Sequence, residues 1–159
     1  MLRLRSTSLA STHASAAALA PLVRSGDMVV LAGEMGAGKT AFAQGFGAAL
    51  GVTDPITSPT FNLVHSHPAG RLMLHHVDLY RLSTQHEVAD LALDELADAD
   101  GIVLIEWGDV VASGLGDHLV VRLDVDPDDD AARNVVVNGV GRSWALRWER
   151  VEAVMAAYR

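Results

Sequence analysis

Gly33, Gly38, Lys39 and Thr40 are the residues whose types and spacing point most directly to chemistry. They lie in "LAGEMGAGKTAFAQGF" and satisfy the phosphate-loop pattern Gly-x-x-x-x-Gly-Lys-Thr in full. Glycines let a backbone turn tightly and present successive N–H groups to an anion. The helix predicted from Lys39 to about Leu50 aims its positive end at the same spot. In such a loop the lysine neutralises the β- and γ-phosphates and the threonine hydroxyl ligates magnesium. The expectation is an ATP-type site with Mg2+. Lys39 is the chain's single lysine, against eleven arginines. A cramped phosphate cradle accepts a compact ammonium where a planar guanidinium is too wide.

A phosphate loop needs a further acid, at the end of a neighbouring apolar strand, to hold the magnesium or relay to it. Two are available: Glu106 ends "GIVLIE" and Asp78 ends "LMLHHVD". Lys39, Asp78 and Glu106 are therefore the candidate catalytic residues, and residue type alone does not divide base from metal ligand between the two acids. "TSPTF" (Thr57 to Phe61) follows the loop helix, where a γ-phosphate sensor commonly sits, although Ser-Pro also marks an ordinary turn. Trp107, after Glu106, either flanks the nucleotide or fills core. His65, His67, His75 and His76 do not read as a metal site, because adjacent residues of a strand face opposite ways and a zinc site needs convergent ligands. "DPDDD" reads as a solvated turn. Trp144 and Trp148 read as packing anchors for the last helix.

The elements that must position these residues follow from pattern. "RLRSTS" is a short edge strand, and Ser8 or Ser11 caps an Ala-rich helix ending near Arg24. "DMVVLA" is apolar throughout, as a buried parallel strand is. The loop helix stops at Gly51. "FNLVHSH" and "RLMLHHVDLY" form a hairpin about a "PAG" turn. "STQHEVADLALDELADADG" carries Val88, Leu91, Leu93 and Leu96 as the apolar face of one helix, capped by Ser83 or Thr84 with Glu87 behind. "GIVLIEWGD" is a second buried strand. "HLVVRLDV" and "NVVVNGV" are a hairpin joined by "DPDDDAAR", and "SWALRWERVEAVMAAYR" reads as strand then helix. The sum is one α/β phosphate-loop domain over residues 1–159, with a mixed parallel and antiparallel sheet flanked by helices.

Composition narrows the function classes. Half of the 159 residues are apolar, which suits a globular core. No apolar run approaches the roughly 20 residues that span a bilayer, so no membrane role is expected. The N-terminal stretch is interrupted by Ser, Thr and His and runs into the first core strand, unlike a secretory leader. With no cysteine, disulfides, zinc–thiolate sites and thiol nucleophiles are excluded. A cytoplasmic setting is expected, since an ATP-type site draws on intracellular nucleotide. The net charge of −8 argues against broad nucleic-acid binding.

In order and spacing, "GEMGAGKT", "SPTFNLVHSH", "HHVDLYRL" and "LIEWGD" resemble the bacterial TsaE family (formerly YjeE) over nearly the whole chain. The later motifs are far more specific than the phosphate loop. The resemblance implies a small ATPase required for threonylcarbamoyladenosine formation in tRNA, working with two partners, TsaB and TsaD. TsaD carries out the transfer to the adenosine beside the anticodon, hydrolysis supports multiple turnover, and tRNA is met only through the complex. It implies an ATP-binding set of Gly33, Met35, Gly36, Ala37, Gly38, Lys39, Thr40 and Ala41, with Thr12 and Arg133 as looser matches. Thr40 and Glu106 are implied to hold Mg2+, and Asp78 to be essential for hydrolysis. Thr60 belongs to the segment near the γ-phosphate, and Trp107, beside Glu106 in "LIEWGD", stays open between flanking the nucleotide and filling core. The sequence departs at Ala41, where relatives often carry a second Thr, and in the Gly-Asp after Trp107; neither removes a group the mechanism needs.

A small-molecule or nucleoside kinase would share the loop, but no basic lid lies between the helices. A GTPase is not expected, because the guanine-reading Asn-Lys-x-Asp needs a second lysine. A nucleotide-dependent assembly factor, acting by binding alone, is the non-enzymatic alternative. Slow ATPase activity is expected of the isolated chain, because sites completed by a partner are common in this class.

Overall fold

Strands that are apolar on both faces set the centre of the molecule. β2 (Met28–Ala32) and β5 (Gly101–Glu106) are buried at every position. Val29, Leu31, Ile102 and Leu104 face one core, and Met28, Val30, Val103 and Ile105 face another. The computed structural model describes residues 1–58, 63–82, 84–89, 91–98, 100–107 and 112–159. Around this pair, β1 (Leu2–Ser6), β3 (Val64–Ala69), β4 (Leu72–Asp78), β6 (His118–Asp126) and β7 (Asp129–Val140) complete a seven-stranded sheet of order β1-β7-β6-β2-β5-β4-β3. β6, β2, β5 and β4 run parallel, while β3 and β7 pair antiparallel with their neighbours. β1 lies antiparallel to β7 at one edge.

The first core is closed by helices α1 (Leu9–Leu19) and α2 (Lys39–Leu50). Phe42 and Phe46 of α2 are almost wholly buried, and each contributes about 1.5–3 kcal/mol by leaving water. Ser8 caps α1 by accepting from the Ser11 N–H at 3.1 Å, and Gly51 ends α2 with φ 102°. The two helices pack closely at Gly45, where a Cβ would stand 2.6 Å from the Cα of His13. The second core is covered by the short helix α4 (Leu93–Ala97), which follows another short helix, α3 (Gln85–Ala89). After β7 come α5 (Arg142–Ala145) and α6 (Trp148–Met155). At their junction Arg147 forms a buried bidentate pair with Asp27, at 2.6 and 2.8 Å, and its guanidinium stacks 3.9 Å over Trp144.

Several expected boundaries change, each for a physical reason. The single helix predicted within residues 83–101 is two, broken at Ala92 with φ 48°. Leu91 and Leu93 would stand about 200° apart on one helix, and the break lets both join the core beneath β5. The first α-helix stops at Leu19 and tightens into a 3-10 turn over Ala20–Leu22, short of Arg24. β3 runs through Pro68 and Ala69, so the hairpin turns at Gly70 and Arg71 rather than at "PAG". Likewise the β6–β7 turn shrinks to Pro127 and Asp128, and "DDAAR" is strand. No strand forms at Ser143: Gly141 turns the chain at φ 89°, and Asp117 accepts from the Ser143 N–H at 2.7 Å, starting a helix instead. Trp144 is fully buried there, as an anchor should be. Among the described residues, no helix is long and apolar enough to cross a membrane.

Candidate functional site

β2 delivers the chain into the loop at the sheet's C-terminal edge, where β5 and β4 end beside it. In register, Leu31 of β2 neighbours Glu106 of β5, which neighbours Asp78 of β4. The two acids predicted from separate apolar runs are therefore adjacent, on one edge of a parallel sheet, where ligands of open α/β folds bind. Gly33, Gly36 and Gly38 all have positive φ, and Gly38, at 103°, hands the chain to the first turn of α2. A side chain at Gly38 would strain that handover.

A cleft of about 360 Å³ is lined by Met35, Gly36, Gly38, Lys39, Thr40, Ser58, Asp78, Tyr80, Glu106 and Trp107. Lys39 is buried; its Nζ donates to the carbonyls of Gly33 (2.6 Å) and Glu34 (2.7 Å) and lies 4.0 Å from the centroid of the Trp107 ring. That contact is a cation–π interaction. Trp107 holds its place through a left-handed backbone (φ 60°) and a ring contact with Tyr80 at 5.0 Å. Asp78 is fixed at both oxygens: Oδ2 accepts from Ser58 Oγ at 3.0 Å, and Oδ1 from the Tyr80 N–H at 2.9 Å. Glu106 Oε1 meets His76 Nε2 at 2.9 Å.

A second cleft of about 340 Å³ opens on the other side of Gly38, lined by Ser8, Leu9, Thr12, Gly38, Ala41, Ala131 and Arg133. Arg133 Nε donates to the Ala37 carbonyl at 2.9 Å and Nη2 to that of Gly36 at 3.4 Å, tying β7 to the loop. Thr12 shares a buried hydrogen bond of 2.7 Å with Ser6 Oγ. The loop thus separates a cleft that holds Lys39, Asp78 and Glu106 from one that holds neither acid, a division that suits a phosphate chain on one side and a nucleoside on the other.

The structure distributes the sequence candidates as follows. Met35, Gly36, Gly38, Lys39, Thr40, Asp78, Glu106 and Trp107 share the first cleft, and Thr12, Ala41 and Arg133 the second. Gly33 and Ala37 take part through their carbonyls, bound to Lys39 and Arg133. Thr60 lies outside the described residues. Reading the sequence missed His76, Ser58 and Tyr80. His76 could have been found, because strand alternation puts it on the face of Asp78, two residues on.

The fit to magnesium rests on donor chemistry. Thr40, Asp78 and Glu106 offer only oxygen atoms, the hard donors Mg2+ prefers. No group of three or more His, Asp or Glu among the described residues could hold a metal unaided. Magnesium asks for less, taking one or two carboxylates and completing its shell with phosphate and water.

Comparison with known proteins adds an independent line. Residues 6–135 match the family model described as threonylcarbamoyl adenosine biosynthesis protein TsaE. A Streptomyces coelicolor protein named tRNA threonylcarbamoyladenosine biosynthesis protein TsaE is 44% identical over 133 residues, covering 80% of this chain and 89% of its own. One of the same name from Bacillus subtilis is 33% identical over 151 residues, covering 94% and 93%. The crystal structure of Bacillus subtilis YdiB superposes with a TM-score of 0.80 at 29% identity, covering 96% of this chain and 94% of that one.

Proposed function

Since the chain belongs to the TsaE family of threonylcarbamoyl adenosine biosynthesis proteins, we propose that it is the ATP-binding and ATP-hydrolysing component of the tRNA threonylcarbamoyladenosine machinery. Its role is to support repeated turnover by TsaB-like and TsaD-like partners. The observation that carries this reading is the meeting of Lys39, Thr40, Asp78 and Glu106 in one cleft around the glycine loop. Lys39 serves as the cation for the β- and γ-phosphates, and the loop backbone and the start of α2 as the anion cradle. Thr40 and Glu106 would hold Mg2+, which when bound neutralises charge on the phosphate oxygens. Asp78, anchored at both oxygens by Ser58 and the Tyr80 N–H, is a fixed acceptor suited to orienting a water. The net charge of −8 supports contact with tRNA through partners rather than directly.

Reconstitution of the threonylcarbamoyl transfer on tRNA with TsaB and TsaD tests this. Many rounds of modification are expected with the chain and few without it. Glu106→Gln should still bind ATP yet fail to sustain repeated rounds. Should that variant sustain them fully, hydrolysis is not its contribution and nucleotide binding alone is.

A further inference from the structure

His76 is the most deeply placed polar side chain near the cleft. It is fully buried and is not among the residues that line either cleft described above. It stands on β4 beside Leu104 of β5, two residues before Asp78, so it lies behind Glu106 as seen from the cleft. Its Nε2 meets Glu106 Oε1 at 2.9 Å, and Glu106 is itself only 3% exposed. A carboxylate accepts, so the proton sits on Nε2. That leaves Nδ1 with no partner among the described residues. A core position that only needed filling would be met by an apolar side chain with no orphaned nitrogen. The imidazole is therefore explained by the single bond it makes.

We propose that His76 is the positioning residue of the metal site, fixing one oxygen of Glu106 from behind so that the other is presented to the cleft. The inference rests on the reading of Glu106 as a magnesium ligand. A glutamate has three side-chain torsions, and a free carboxylate would sample many orientations before one suited the ion. The Nε2–H bond removes that freedom without touching the ion or the nucleotide. Outer partners of this kind tune metal affinity by about 10–100-fold. Strand alternation places His76 on the right face, but only the β4–β5 register brings it to Glu106.

The test compares His76→Gln, whose amide nitrogen falls where Nε2 was, with His76→Asn, whose shorter side chain cannot reach Oε1. Mn2+ affinity is read by electron paramagnetic resonance in the presence of a non-hydrolysable ATP analogue, and affinity for that analogue is read separately in EDTA. His76→Gln should stay within about 3-fold of the unchanged chain. His76→Asn should weaken Mn2+ binding about 10–100-fold and leave metal-free binding unaltered. If His76→Asn does not fold, as judged by circular dichroism, His76→Phe fills the space and carries the same expectation. Unchanged Mn2+ affinity in a folded donor-free variant overturns the inference, as does an equal loss of metal-free binding. Glu106→Gln separates the two levels. If it alone weakens Mn2+ binding, only the role of His76 fails; if it too leaves Mn2+ binding unchanged, the ligand role of Glu106 fails with it.

Discussion

Arg133 shows how a single side chain can act on a phosphate loop without belonging to it. Its guanidinium spans the Ala37 and Gly36 carbonyls, and Nη1 also donates to those of Asp130 and Ala132, at 2.7 and 2.8 Å. Hydrogen bonds from a charged donor contribute about 1.5–3 kcal/mol. Under the proposed function, Arg133→Ala should loosen the loop and weaken ATP binding by roughly 10-fold, measured calorimetrically. Lysine should not restore it, because one ammonium cannot reproduce the planar fork. Among individual residues, those announced by local pattern were legible in the sequence: Lys39 by the loop spacing, Asp78 and Glu106 by apolar runs ending in an acid. The partners of those residues were not. Ser58 meets Asp78, and His76 meets Glu106, only through contacts between segments distant along the chain.

The β3–β4 hairpin carries a prediction of its own. Burial pushes the imidazole of His67 below its usual value. His76 and His65 lower it further, while Asp54 opposes them. His75, hydrogen-bonded to Ser66 at 2.7 Å, is likewise lowered by burial. Below a pH of about 6.5 the unfolded chain therefore binds more protons at these positions than the folded one. Stability should be complete above that pH and fall as the solution is acidified through the lowered values. Thermal melts between about pH 7.5 and 5 should show this decline, and His67→Phe should flatten it. Elements were read well where local composition governed, as in the wholly apolar runs of β2 and β5 and in α2, set between the loop and Gly51. They were misread where tertiary demand prevailed: alanine favours helix intrinsically, yet Ala92 takes a left-handed conformation so that Leu91 and Leu93 can both reach the core.

Across the whole molecule, Asp27 and Arg147 join the start of the central strand to the last helices. Removing one partner of a buried ion pair leaves the other charged and unpaired, at a cost of about 3–5 kcal/mol. Arg147→Met should lower the melting temperature by roughly ten degrees. The double variant with Asp27→Asn should recover much of the loss, since no buried charge is then stranded. The sheet has a different consequence, for synthesis. Among the described residues, β7 is the one strand that pairs with β1, with Leu4 set against Val135. At the usual pace of translation, the segment carrying β7 is made on the order of ten seconds after β1. Late in that interval a nascent chain on the ribosome already displays its glycine loop, but lacks both the strand that orders its first residues and the arginine that braces the loop. Its proposed nucleotide site is thus completed only once β7 has been made, and until then the growing chain should hold ATP more weakly than the folded domain does.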